Sequence, residues 1–201
     1  MDFIQIWNLF PQYIQLRQPV KVFATQEDGY NMNNMYTKCE KHVESQDIDI
    51  KYGSGLSQYF STLFLIKTKN GEIFGAFITA FPAMGVEGRF LGTAESFVFF
   101  FDPHSRQDQT ELSNLQSNSL GGMPFQYFRG TEKNKYYLLC EHNILTIGSG
   151  GDGPAIRIND IQMIKGRTAA CETFDSPILL PKGEKHVHDS FEAVNFEIFI
   201  L

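Results

Sequence analysis

The sequence predicts a mainly-β, α+β domain: a two-sheet antiparallel β-sandwich flanked by a few short helices. Three observations predict it. Seven to nine short runs of β-branched and aromatic residues follow one another with no long helix between them. That is hairpin order, not the strand–helix alternation of a parallel sheet. The aromatic content is dominated by 19 Phe and 8 Tyr against one Trp, and side chains of this kind fill a thick core. Finally, 201 residues, 42% hydrophobic and 20% charged, supply one sizeable core, so 1–201 is read as a single domain.

Each element has its own signal. Pro11 interrupts the apolar stretch of residues 3–16, which predicts a short helix or turn instead of one long helix. Residues 20–24 form a strand and Asp28-Gly29 a turn. Met32, Met35, Tyr36, Cys39 and Val43 recur at helical spacing, predicting a helix over 31–44. Asn70-Gly71 separates the apolar runs 62–68 and 72–80, the strongest short signal for a hairpin. Both faces of that hairpin are apolar, so it is expected at the centre, covered on both sides. Further strands are expected at 95–101, 125–128, 136–140, 144–147 and 155–158, with a short helix at 160–165. Val194, Phe196, Ile198 and Ile200 alternate with Asn195 and Glu197, predicting a half-buried closing strand. The polar segments 45–58 and 104–122 are expected to be flexible loops.

The net charge of −6, with no run of Lys or Arg, argues against a nucleic-acid surface. Cys39, Cys140 and Cys171 are widely spaced and form no C-x-x-C pair, the usage expected in a reducing compartment. No stretch reaches bilayer-spanning length and the first residues lack a basic leader pattern, so the expected location is cytoplasmic.

Four constellations invite a chemical reading. Gly148-Ser149-Gly150-Gly151-Asp152-Gly153 matches G-x-G-x-x-G, but Pro154-Ala155-Ile156-Arg157-Ile158 follows as a strand. A phosphate cradle needs a helix there. The segment is therefore read as a glycine-rich hairpin loop, and Gly150, Gly151 and Asp152, with Arg167, are the candidate partner-binding residues. His186-Val187-His188-Asp189 places two imidazoles beside a carboxylate. Pro181, Lys182 and Gly183 precede it, so it is read as an exposed loop and no metal is assigned. Cys171 has Arg167 four residues away, the one nearby cation that would favour a thiolate. Glu72 and Glu95 sit beside strand cores and would form an acid/base pair if their carboxylates converged. Glu72, Glu95 and Cys171 are thus the catalytic candidates, and no cofactor is assigned.

Taken in order, several segments resemble the TLDc domain family. They are Thr62–Thr68, Asn70–Phe77, Gly92–Phe99, Tyr127–Gly130, Gly148–Gly153, Gly166–Thr168, Cys171–Phe174 and the closing Phe191–Leu201. Gln5–Pro11 and Gln15–Arg17 are most similar to the synaptic TBC–TLDc class. The resemblance implies a β-sandwich flanked by helices and a role in resistance to oxidative stress. It further implies vesicle trafficking in the synaptic class, with a location peripheral to vesicles or the presynaptic terminal and only indirect membrane contact. The partners it implies are proteins: subunits of the vacuolar proton-pumping ATPase, and a TBC domain in cis. Nothing in the chain resembles a TBC catalytic motif, so GTPase-activating activity is expected elsewhere. The expectation is a non-catalytic interaction module. The alternative is a cryptic redox or hydrolytic enzyme using Cys171 or the Glu72/Glu95 pair.

Overall fold

The computed structural model describes residues 3–46, 60–83, 88–101, 125–159, 162–180 and 188–201. Its N-terminal part holds helices α1 (Phe3–Trp7) and α2 (Gln12–Gln15), strand β1 (Val20–Ala24), and helices α3 (Thr25–Asp28) and α4 (Met32–Glu44). Then come β2 (Thr62–Thr68), β3 (Ile73–Ile78), β4 (Phe97–Phe101) and β5 (Phe125–Arg129). The second half contains β6 (Leu138–Glu141), β7 (Ile144–Ile147), β8 (Ile156–Ile158), β9 (Lys165–Ala169) and β10 (His188–Ile200). Pro11 separates the two N-terminal helices, as its missing N–H requires.

The strands lie in the order β5-β4-β3-β2-β10-β9-β8-β7-β6, with β1 also paired to β10. Each pairing is antiparallel. At the β2–β3 turn Gly71 takes φ of 91°, a conformation that glycine adopts without a Cβ penalty. Strand β10 joins the two halves. Its residues 188–192 pair with β9, while 193–200 pair with β2. The register slips between Ala193 and Asn195. Such a bulge adds one residue and exchanges the faces of the strand. Phe191 and Ala193 are buried before it, Phe196, Ile198 and Ile200 after it, and Val194 at the bulge is half-buried.

Two apolar layers result. Between the sheets, Phe64, Phe74 and Val98 meet Leu138, Leu145, Ile156 and Ile158, with Met35, Tyr36 and Cys39 of α4. On the opposite face of the β2–β4 sheet, Leu63, Phe77, Phe97 and Phe99 are covered by Ile6, Phe10 and Ile14 of the N-terminal segment. The central hairpin is therefore buried on both faces, which is why its sequence runs apolar without a gap. Helix α4 starts where the Asn31 side chain accepts the Asn34 N–H at 3.0 Å, an N-cap. Its Tyr36 hydroxyl reaches the Glu141 and Ile144 carbonyls at 3.3 and 3.2 Å, tying it to the β6–β7 turn.

The expected mainly-β architecture is present, with local corrections. Residues 162–164 form a turn and Lys165 opens β9, where a helix over 160–165 was expected; residues 160 and 161 lie outside the described residues. The strand escaped notice because Gly166 occupies an inward position, leaving no apolar side chain to complete the alternation. A Cβ there would lie 2.3 Å from the Phe191 ring and 2.8 Å from the Arg157 carbonyl. The closing strand also begins earlier, at His188. The loops expected at 45–58 and 104–122 fall outside the described residues, apart from Ser45 and Gln46.

Gly166→Ala is expected to destabilise the fold by about 1–3 kcal/mol, the cost of overpacking a filled site. Thermal unfolding checks it; an unchanged midpoint would show that Phe191 gives way freely.

Candidate functional site

The loop between β7 and β8 is the Gly148–Gly153 segment, and it rests on residues 171–176. Gly150 takes φ of 85°, a conformation that glycine adopts without a Cβ penalty, and a Cβ there would displace the Glu172 carboxylate, 2.7 Å away. The two segments are stitched together by backbone bonds. Glu172 N–H donates to the Gly150 carbonyl at 3.2 Å, and Asp152 N–H to the Ala170 carbonyl at 3.2 Å. Thr173, fully buried, is the hub. Its Oγ1 accepts the Ser149 N–H at 2.9 Å and lies 2.8 Å from both the Asn134 side-chain oxygen and the Ser149 carbonyl. Its own carbonyl accepts the Thr131 N–H at 2.7 Å.

This arrangement takes up some of the donors that a phosphate cradle would use. Ser149 and Asp152 N–H groups point to protein acceptors, and β8 follows the loop instead of a helix. What the loop does form is one wall of a shallow, open groove of about 500 Å³. Gly151, Asp152, Cys171, Glu172, Asp175 and Ser176 line it. Its rim is acidic, although Lys133 meets Asp175 at 3.2 Å and the Asn134 amide approaches Glu172 at 3.5 Å.

The four partner-binding candidates divide. Gly150, Gly151 and Asp152 share the loop, whereas Arg167 stands on β9, exposed, opposite Arg157 and Ser190. The catalytic candidates do not converge either. Glu72 is buried in the β2–β3 turn, where its carboxylate takes the Thr68 hydroxyl and its N–H donates to Thr68 Oγ1 at 3.2 Å. Glu95 is exposed and accepts the Tyr13 hydroxyl at 2.8 Å. Partial burial, then the bond to Glu95, pushes the Tyr13 phenol up to about 12. Ile73 lies opposite Phe101 and Phe77 opposite Phe97, so Glu72 and Glu95 sit at opposite ends of the β3–β4 pair. Seven residues of strand separate them, about 23 Å, against the 5–10 Å or so of a working carboxylate pair.

Cys171 is buried and its Sγ lies 3.6 Å from the Ser149 carbonyl. Burial pushes its thiol up, and the groups pulling it back are hydrogen bonds at 155, 173 and 174, not a cation. Cys39 is pushed upward by burial, and Cys140 to about 12 for the same reason. His186 lies outside the described residues. His188 and Asp189 open β10, paired with Ala169 and Thr168, where an exposed loop was expected. Sequence reading passed over Thr173 and Asn134 as site residues. A hydroxyl and an amide that bond backbone far along the chain leave no local pattern; the signal lay only in the run Cys171–Phe174 beside a glycine loop.

The family model for the TLDc domain matches residues 1–201. The chain is 26% identical over 186 residues to the GTPase-activating protein skywalker of Drosophila melanogaster, which covers 89% of this chain and 27% of the fly protein. It is 27% identical over 202 residues to TBC1 domain family member 24 of Xenopus laevis, covering 85% of this chain and 33% of the frog protein. It is 22% identical over 222 residues to oxidation resistance protein 1 of Podospora anserina, covering 100% of this chain and 55% of the fungal protein. The chain thus spans from about a quarter to about half the length of these relatives.

Thr173→Val keeps the volume and removes the hydroxyl. It is expected to cost about 1–3 kcal/mol, because the half-buried Ser149 N–H loses its acceptor, and amide exchange at Ser149 should rise with it. Thiol labelling at neutral pH should be slow at all three cysteines in the folded protein and fast in denaturant; rapid native labelling of Cys171 would restore the nucleophile reading.

Proposed function

Because the chain belongs to the TLDc domain family, we propose that it is a non-catalytic interaction module, acting in resistance to oxidative stress and in vesicle trafficking. Its relatives carry the first half of that reading in the name oxidation resistance protein 1. Likeness to skywalker and to TBC1 domain family member 24 supports the second, with a TBC domain as the neighbour in cis. The direct partner in this reading is the vacuolar proton-pumping ATPase, met at the cytoplasmic face of a vesicle, so that membrane contact is indirect. Among the described residues no helix is long and apolar enough to cross a membrane. GTPase-activating activity is named for the fly relative, of which the matched stretch covers 27%; it forms no part of this proposal.

One observation carries the reading. The glycine loop is held rigidly by Thr173 and Glu172, yet Gly151 and Asp152 remain exposed at the groove. Meanwhile Glu72, Glu95 and Cys171 lie apart. A braced loop with an exposed glycine and a carboxylate at its tip is a surface for recognition.

Immobilised protein should recover subunits of the purified proton pump. Asp152→Arg should lower that recovery about tenfold at an unchanged melting temperature. Recovery that is absent, or equal for the variant, removes the proposal for this loop.

A further inference from the structure

The outward face of the β6–β9 sheet carries a charged row that neither the core nor the glycine loop uses. Registers set Thr146 opposite Arg157, Arg157 opposite Arg167, and Arg167 opposite Ser190. Leu145, Ile147, Ile156 and Ile158 of the same strands enter the core. Alternation therefore puts the four on the other face. Four neighbouring strands thus set hydroxyl, guanidinium, guanidinium, hydroxyl in one line, about 14 Å from end to end; Arg167 and Ser190 are exposed, Arg157 is half-buried and Thr146 is buried.

Two features set this row apart from an ordinary basic surface. Like charges directly opposite on paired strands stand about 5 Å apart at Cβ and weaken the sheet. Yet among the described residues no carboxylate answers either arginine. The four ion pairs seen between described residues use lysines, and Glu192, two residues along β10 from Ser190, lies opposite Lys165 and bonds Lys69 at 3.3 Å. Second, Arg157 Nε is closed off from solvent with no acceptor. A buried guanidinium N–H left in that state is costly and calls for an explanation. Both features stand in a chain of net charge −6, where a local, unanswered charge of +2 runs against the whole.

We propose that this row is a binding site for a phosphate-monoester dianion. Guanidinium forks match phosphate oxygens with paired N–H donors, and the exposed Ser190 hydroxyl extends the donor set without adding charge. A dianion answers both arginines at once, whereas one carboxylate leaves one of them unmet. The like-charge pair is then a stability cost carried for binding. The same chemistry is offered by free phosphate and by a phosphorylated side chain, and the test separates them.

Thermal unfolding is followed with inorganic phosphate, O-phosphoserine or acetate, all at matched ionic strength. At saturation, O-phosphoserine should raise the wild-type midpoint by about 2–4 °C, and acetate should not. An equal rise with inorganic phosphate identifies the phosphoryl group itself as the ligand; a rise with O-phosphoserine alone assigns the site to a phosphorylated side chain. Arg167→Glu replaces repulsion of Arg157 by attraction, so its midpoint without added anion should equal or exceed wild type, and its response to phosphate should vanish. Arg167→Gln, which introduces no new charge, should lose the response as well. No rise in wild type, an equal rise with acetate, or an undiminished rise in both variants overturns the proposal.

Discussion

Strand β10 makes hydrogen bonds along both edges, and that double pairing is the constraint from which the rest of the architecture follows. One edge meets β2, the other meets β9 and then β1. A flat strand cannot serve two sheets that face each other, because its side chains would point the wrong way in one of them. The extra residue between Ala193 and Asn195 resolves this by exchanging faces in mid-strand. Phe191 and Phe196 can then both enter the layer between the sheets, five residues apart. Phe191 packs edge-on against Phe74 at 5.0 Å, and Phe196 lies 6.1 Å from Phe64. The same strand thus anchors the aromatic layer from both sides of its bend.

Much of this was legible because burial and periodicity coincide. Asn70-Gly71 fixed its own hairpin, and the unbroken apolar runs around it announced a strand pair covered twice. The alternation from Val194 to Ile200 named its inner face correctly for Phe196, Ile198 and Ile200. The bulge stayed hidden because a change of face looks, in one dimension, like the end of a pattern. Strand β9 stayed hidden for a different reason: Gly166 and Thr168 fill its inner positions. Gly166 is there because Phe191 needs the room, a requirement written elsewhere in the chain.

The site was legible in outline only. The glycine loop showed itself through composition, and the strand after it argued against a nucleotide cradle. What holds the loop did not show. Thr173 and Asn134 act over 24 and 15 residues, respectively, on the backbone of Ser149, and pairing of that kind is set by the sheet, not by local sequence. Arg167 illustrates the opposite error. Sequence grouped it with the loop, while register places it on another face, beside a second arginine that had drawn no attention. Glu72 and Glu95 looked equivalent as carboxylates next to strands. One closes a turn and the other holds a tyrosine, at opposite ends of the same strand pair.

The order in which the ribosome delivers these strands gives β10 one more consequence. β2 leaves the exit tunnel long before its neighbour, since Phe64 must wait for Ile198. Contacts so distant along the chain slow folding. Throughout synthesis the hairpin's inner edge, with Leu63, Leu65 and their unpaired amides, is a sticky template for any extended chain nearby. A nascent chain of this design exposes that edge until β10 emerges, and a stop ahead of β10 strands a ready-made aggregation seed.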